Sequence, residues 1–231
     1  MTDRSPDTRP AEQAAGDLAV YPAYLAALLR GDRAACRQIV ANLLEQAIGI
    51  RSLYVDLFQR ALYDIGALWA QNRISVEVEH CATAITESLF PLVYPHLFMA
   101  EHCGRRAVVS CVANEFHQIG GKMVADILEM HGWDTLFLGA NTGLTELVRH
   151  IDEQQPDLVA LSLSLSHHLP VLLTSLTELR RHFPLLPLIV GGQGFAWADP
   201  AALATTPQLQ LIRSLAELET YVTDFAAQPL P

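Results

Sequence analysis

The sequence predicts an α/β protein in which a four-helix bundle precedes a parallel sheet covered by helices. Two observations carry this prediction. Residues 17 to 99 show only the apolar spacing of helices, whereas short apolar strands and helices alternate in the later part. Such alternation is typical of a parallel sheet with helices on both faces. We therefore divide the 231 residues into a disordered tail (1–16), a helical part (17–103) and an α/β part (104–231).

The helical part contains four predicted helices: 18–29, 34–48, 52–70 and 75–96. Gly31 and Gly49 follow the first two as C-terminal stops, and Ser75 with the acidic residues behind it is typical of a helix N-terminus. Pro91 and Pro95 are expected to kink or end the last helix. Short connections between four helices predict an antiparallel bundle.

The α/β part is predicted to hold five strands (107–113, 134–138, 157–163, 187–190 and 209–212) and four helices (116–131, 144–154, 168–182 and 214–227). The carboxyl ends of parallel strands lie at one edge of a sheet. Open α/β sheets bind ligands beyond that edge. The residues that follow each strand are therefore the place to look for a site.

The loop after the first strand carries Glu115, His117 and Gly120. Imidazole suits transition metals, cobalt among them, and a nearby carboxylate fixes the tautomer of the imidazole and raises its basicity. His117 is therefore a candidate metal ligand with Glu115 behind it. A lone histidine after a strand is more often an ordinary loop residue, so this interpretation depends on further blocks downstream.

Two such blocks follow the third and fourth strands. Ser162 and Ser164 close the third strand, and Gly191, Gly192 and Gly194 follow the fourth. Small residues at successive strand ends let a large flat group, or its tail, approach the backbone closely. The glycine pair taken alone is equally typical of a simple turn.

These three blocks resemble the Asp-x-His-x-x-Gly, Ser-x-Leu and Gly-Gly motifs of the cobalamin-binding domain family. Glu115 stands where that family has Asp, and Ser164 where it has Leu. The resemblance implies a flavodoxin- or Rossmann-like sheet with cobalamin as the cofactor. It also implies that His117 is the lower ligand of cobalt and that Ser162 and Gly191 to Gly194 line the channel for the nucleotide tail.

The helical part carries a second marker, because Trp69 closes the third predicted helix and Glu79 and His80 open the fourth. This spacing resembles cobalamin photoreceptors of the CarH type. The resemblance implies a helical cap over the upper face of adenosylcobalamin, with Trp69 packed against the upper ligand, Glu79 bonded to the adenosyl group and His80 beside it. Ala70 stands where those photoreceptors have the histidine that captures cobalt after illumination, so their usual light state is not expected here.

A second resemblance, to photocobilins, implies a bilin such as biliverdin as an additional chromophore. The side chains available to line it are His96, His102, His167, His168, Tyr94 and Phe98. No local motif proves such a site, and no cysteine is placed for a thioether link. His167 and His168 are equally typical of surface residues at a helix N-terminus.

The amino-acid composition limits the classes of partner that the chain is expected to bind. The chain has 25 acidic and 15 basic residues, and Lys122 is its only lysine, which argues against direct binding of nucleic acid. The helix-turn-helix of the CarH-type regulators is not expected before the bundle. No apolar run is long enough to span a membrane, and no signal peptide is evident. Four separated cysteines are typical of reduced thiols in a cytoplasmic protein.

Three functions agree with these observations. The first is a cobalamin-dependent light sensor whose signal passes to a partner protein or an effector domain, with assembly into a homo-oligomer left open. The second is a corrinoid protein that carries methyl groups between methyltransferases, which a bulky Trp69 over the upper face would hinder. The third is a plain cobalamin binder or store. No nucleophile–base pair supports catalysis by side chains.

Overall fold

The computed structural model describes residues 18–98, 100–196, 200–203 and 206–226. The predicted tail, 1–16, lies outside these residues. None of the helices within the described ranges has the length and apolar character needed to cross a membrane. Cys36, Cys81, Cys103 and Cys111 are all free thiols, as predicted.

The helical part consists of α1 (Tyr21–Leu29), α2 (Arg33–Glu45), α3 (Ile50–Ser52), α4 (Arg60–Ala70), α5 (Val76–Glu87) and α6 (Phe90–Val93). A π-helical segment, Leu53–Gln59, joins α3 to α4 without a break. Asp32 caps α2 by accepting a hydrogen bond from the backbone N–H of Ala35 at 3.0 Å. Ser75 immediately precedes α5, whose first turn is acidic, as predicted.

The predicted helix 75–96 is wrong in its second half. The chain leaves the α-helix after Glu87, forms α6, and continues as a 3₁₀ turn, Tyr94–His96. Pro91 and Pro95 explain this, because a proline has no N–H to donate and is accepted only in the first turn of a helical segment. The expectation that these two prolines would interrupt the helix is confirmed.

The sheet contains five parallel strands, β1 (Arg106–Cys111), β2 (Asp134–Phe137), β3 (Leu158–Ser162), β4 (Leu188–Gly191) and β5 (Leu209–Ile212). Their order is β2-β1-β3-β4-β5, so the predicted flavodoxin-like architecture is confirmed. Its helices are α7 (Ile119–Met130), α8 (Leu144–Gln154), α9 (Leu169–His182) and α10 (Leu215–Ala226). Helix α7 starts three residues later than predicted, because residues 116–118 belong to the loop that holds His117.

The buried apolar residues form three clusters, one on each face of the sheet and one within the helical bundle. Val108 of β1 points toward α8 and α9, whereas Ala107 and Val109 point toward α7 and α10. This alternation is what a strand covered on both faces requires. Ile119 and Met123 of α7 belong to the same core as the bundle, so the bundle packs on the outer side of α7.

Polar contacts fix the bundle on α7. Tyr54, in the π-helical segment, donates a hydrogen bond of 2.6 Å to Asp126, and this pair is buried. Lys122 pairs with the other carboxylate oxygen of Asp126. At the surface, Arg51 pairs with Glu219 of α10 at 3.0 Å. The helix that follows the His117 loop is therefore also the helix on which the bundle rests.

Candidate functional site

The predicted site forms around Glu115, whose side chain is fully buried between the loops that follow β1 and β3. One carboxylate oxygen, Oε1, accepts hydrogen bonds from the backbone N–H of His117 and from its ring. The other, Oε2, accepts bonds from the backbone N–H groups of Ser164 at 3.0 Å and Leu165 at 2.9 Å. A single carboxylate therefore ties the two loops together.

His117 is the residue that this carboxylate orients. Its Nδ1 lies 2.6 Å from Oε1 of Glu115, and its side chain is 50% exposed. The carboxylate selects the tautomer with the proton on Nδ1, which leaves the lone pair on Nε2 free to bind a metal. The hydrogen bond to Glu115 raises the pKa of His117, against the effect of burial, and so makes the imidazole a stronger donor.

The charge of Glu115 is stabilised by its donors. Burial alone would raise the pKa of this carboxyl group, but hydrogen bonds from His117 and from the backbone of Leu165 hold the pKa at about 2. The group is therefore a carboxylate at any pH near neutrality. Glu in place of Asp keeps the charge and spans the gap to the β3 loop.

His168 completes the cluster and was not among the predicted site residues. Its Nδ1 lies 3.3 Å from Oε2 of Glu115, and its ring packs against that of His167 with the centroids 4.1 Å apart. It is largely buried, so the interpretation of His168 as a surface residue is wrong. Fifty-three residues separate His168 from Glu115 in the chain, and only the parallel pairing of β1 with β3 brings them together.

Gly120 and Ser162 border an open space at this edge of the sheet. A methyl group built on Gly120, in the first turn of α7, would meet nothing closer than the hydroxyl oxygen of Ser162, at 3.9 Å. The hydroxyl of Ser164 bonds instead to the backbone carbonyl of His117 at 3.4 Å and so supports the loop. An outward Nε2 beside a gap without side chains fits a bulky metal-bearing cofactor.

Gly191 at the end of β4, and Gly192 and Gly194 after it, each lie close against other backbone groups of the chain. A methyl group on Gly191 would lie 2.7 Å from the carbonyl oxygen of Ile212, and one on Gly192 or Gly194 would collide with the carbonyl oxygen of Leu163. Gly192 also has φ of 115°, which favours glycine. The close packing of the chain against itself thus requires these glycines, whether or not a ligand tail also passes there.

The helical cap reaches the His117 loop through α5. Glu79 lies close enough for its charge to contribute to the raised pKa of His117. Glu87, the last residue of α5, accepts a hydrogen bond of 3.1 Å from the side chain of Gln118. Helix α5 therefore lies over the same loop that presents the imidazole, as the capping arrangement requires.

The other two cap residues are open to solvent. The side chain of Trp69 is 49% exposed at the end of α4, and that of His80 is 74% exposed. Glu79 accepts a hydrogen bond from Thr83 at 3.0 Å, so its side chain is already oriented along α5. Trp69 and His80 are therefore accessible from solvent where α4 is followed by α5.

The residues considered for a bilin do not converge on one site. His102 lines a cavity of about 630 Å³ at the amino ends of β1 and β3, the opposite edge of the sheet from His168. Tyr94 and Phe98 form an exposed edge-to-face pair with centroids 4.6 Å apart. A six-residue strand such as β1 separates the two edges by roughly 17 Å.

The chain is similar in sequence to known families and to one characterised regulator. Two family models, each described as a B12 binding domain, match the chain, one over residues 21–93 and the other over residues 105–212. The HTH-type transcriptional repressor CarA of Myxococcus xanthus is 32% identical over 123 residues, which are 53% of this chain and 42% of that protein. The match thus spans less than half the length of this relative.

Two solved structures share the fold. The monomethylamine corrinoid protein of Methanosarcina barkeri superposes with a TM-score of 0.75 over 89% of this chain and 98% of its own. The methanol:cobalamin methyltransferase complex MtaBC of Methanosarcina barkeri gives 0.50 over 89% of this chain and 79% of its own. Both are 12% identical to this chain, so the likeness concerns architecture alone.

Proposed function

Because the chain belongs to the B12-binding family in both its helical part and its sheet, and is thus a cobalamin-binding protein, we propose that it is a light-sensing signalling module that uses adenosylcobalamin. Cobalamin supplies a cobalt–carbon bond that light can break. The observation that carries the proposal is the position of α5, whose last residue, Glu87, accepts a hydrogen bond from Gln118 of the His117 loop.

Each residue has a defined task in this proposal. His117 would hold cobalt through Nε2, and Glu115 keeps the proton on Nδ1 so that the lone pair on Nε2 stays available. Ser162 and Gly191 to Gly194 line the channel for the nucleotide tail, and Gly120 leaves open space beside Ser162. Trp69 and Glu79 hold the adenosyl group from the cap, because indole offers a broad apolar face and a carboxylate offers two acceptors.

The signal leaves through the cap. Trp69 and Glu79, which lie on two helices joined by a short connection, would contact the adenosyl group only while that group is bound. A ligand shifts a conformational equilibrium only through contacts that differ between the two states, and these are the contacts that differ. The receiving group is a partner protein or an effector domain, since the acidic composition does not suit a nucleic-acid surface.

The absorption spectrum of the purified protein with adenosylcobalamin, in darkness and after illumination, tests the proposal. We expect a dark spectrum with histidine bound to cobalt and a clear change on illumination. His117→Ala should weaken binding by roughly a hundredfold and abolish the histidine-bound spectrum. An unchanged affinity and spectrum in that variant would remove His117 from the site. A band far to the red of cobalamin would reveal a second chromophore such as biliverdin.

Methyl transport is the second candidate, and the open end of the cap favours it. Trp69 and His80 are exposed, so a partner enzyme has access from that side. A carrier should bind methylcobalamin at least as tightly as adenosylcobalamin, because its upper ligand is small. Equilibrium titration with the two cofactors therefore separates the candidates: preference for the adenosyl form supports the sensor, and preference for the methyl form supports the carrier.

A further inference from the structure

Phe116, between the carboxylate and the imidazole of the site, has its side chain in solvent. The residue is 68% exposed, while Glu115 before it is fully buried. Aromatic side chains of this size carry roughly 150–250 Å² of largely apolar surface and normally bury most of it. Among the residues that the structure describes, most of the surface of this ring is left uncovered.

The exposure does not come from a loose loop. The backbone carbonyl of Glu115 accepts a hydrogen bond from Asn141 at 2.9 Å, and the side chain of Asn141 accepts one from the N–H of Asn114 at 2.8 Å. Asn114 has φ of 67°, a conformation that asparagine tolerates. On the other side of Phe116, the N–H of His117 is bonded to Glu115. The backbone on both sides of Phe116 is therefore held in place by hydrogen bonds, although the ring itself is exposed.

A flat macrocycle bound to Nε2 of His117 is the natural cover for this ring. A cobalamin held by His117 would bring a large, mainly apolar ring system to the loop on which His117 and Phe116 are both exposed. Phe116 directly precedes His117, and its side chain is exposed whereas that of Glu115 is buried. An apolar ring and the lower face of a tetrapyrrole-like ligand suit each other, and contact between them removes both from water.

We propose that Phe116 packs against the lower face of the corrin and positions it over His117, a role that rests on the proposed binding of cobalamin. The contact adds affinity without taking part in cobalt ligation. It also shields the His117–cobalt side from water. Phe116 is thus a positioning residue, distinct from the ligand and from the carboxylate that orients the ligand.

Equilibrium titration of the full chain with methylcobalamin tests this inference. Phe116→Ala should raise Kd about tenfold, which corresponds to about 1.4 kcal/mol. Phe116→Leu should stay within about threefold of the wild type, because it keeps most of the apolar surface. At saturation, the absorption spectrum of Phe116→Ala should still show histidine bound to cobalt. Its thermal midpoint without cofactor should match that of the wild type, since the ring is exposed.

Leu185 provides the matched control. It is 76% exposed and precedes β4, at the opposite edge of the sheet, so Leu185→Ala should leave Kd unchanged. An unchanged Kd in Phe116→Ala, with normal binding by the wild type, would overturn the inference and leave the proposed function intact. Loss of the histidine-bound spectrum in Phe116→Ala would also overturn it, because the ring would then support ligation. Absence of any cobalamin binding by the wild type would instead refute the proposed function.

Discussion

The bundle meets its surroundings in two contrasting ways. Where it rests on α7, the contact is buried and its polar groups are paired, as Tyr54, Asp126 and Lys122 show. At the end where α4 turns into α5, Trp69 and His80 are exposed. From this difference we infer that the contact with α7 holds the bundle in place on the sheet domain. The α4–α5 end is the part that is free to respond to a ligand. A change of upper ligand should therefore act on that end and not lift the whole bundle.

The largest expected effect comes from breaking the fixed contact. Asp126→Ala removes the buried carboxylate on which Tyr54 and Lys122 converge. Breaking a buried pair leaves its partners without compensation, and we expect a loss of about 2–3 kcal/mol in the free energy of unfolding, measured by urea denaturation without cofactor. Asp134→Ala, which removes the exposed partner of Arg106, should cost less than about 0.5 kcal/mol. Equal costs would show that the α7 contact is no more fixed than the surface.

A substitution at the α4–α5 end should change the affinity for cobalamin and leave the free energy of unfolding nearly unchanged. Trp69→Ala should reduce the preference for adenosylcobalamin over methylcobalamin about tenfold, equivalent to about 1.4 kcal/mol, because the indole face is lost only to the larger upper ligand. The free energy of unfolding should change by less than about 0.5 kcal/mol, since the side chain is half exposed. Tyr63→Ala, on the same helix, is the control and should leave the preference unchanged. A preference unaffected by Trp69→Ala would place the adenosyl group elsewhere.

A gentler change sharpens the comparison. Tyr54→Phe removes one hydroxyl from the fixed contact and keeps the aromatic packing against Phe58 and Phe90. Asp126 keeps its bond to Lys122, so the expected loss is about 1 kcal/mol by urea denaturation. Tyr63→Phe, whose hydroxyl accepts a bond from Gln59 at the surface, should be close to neutral. A cost for Tyr54→Phe as large as that for Asp126→Ala would mean that Lys122 contributes nothing.

Periodicity was enough to predict most of the fold. The five strands lie within two residues of their predicted bounds, and the order of elements is as expected. The errors have local causes. The last predicted helix of the bundle is shorter than expected because of its prolines. Helix α7 begins three residues later than predicted because Glu115 and His117 are hydrogen-bonded within the preceding loop. The π-helical segment Leu53–Gln59 has no marker in the sequence, because it differs from an α-helix only in its hydrogen-bond pattern.

The site was predictable as far as local motifs extend. Glu115 and His117 lie two residues apart, so their contact follows from the motif, and the structure brings them together. His168 was missed because its contact with Glu115 depends on strand pairing across 53 residues. Gly191 and Gly192 were predicted to line a ligand channel, and in the structure their close neighbours are backbone groups of β5 and of the loop after β3. No spacing rule reveals such neighbours.

Ala70→His should have the smallest effect on the free energy of unfolding of the protein kept in darkness. It is also the sharpest test of the role of the α4–α5 end after illumination. Ala70 is the exposed last residue of α4, so the free energy of unfolding should change by no more than a few tenths of a kcal/mol. After illumination the wild type has no imidazole at this position, and His80 is the next candidate on the same side. We expect a reversible change in the wild-type spectrum, and in Ala70→His a stable spectrum typical of two histidines on cobalt. A stable two-histidine spectrum already present in the wild type and retained in His80→Ala would contradict the roles given to both positions, and would indicate that another residue reaches the upper side of the cofactor.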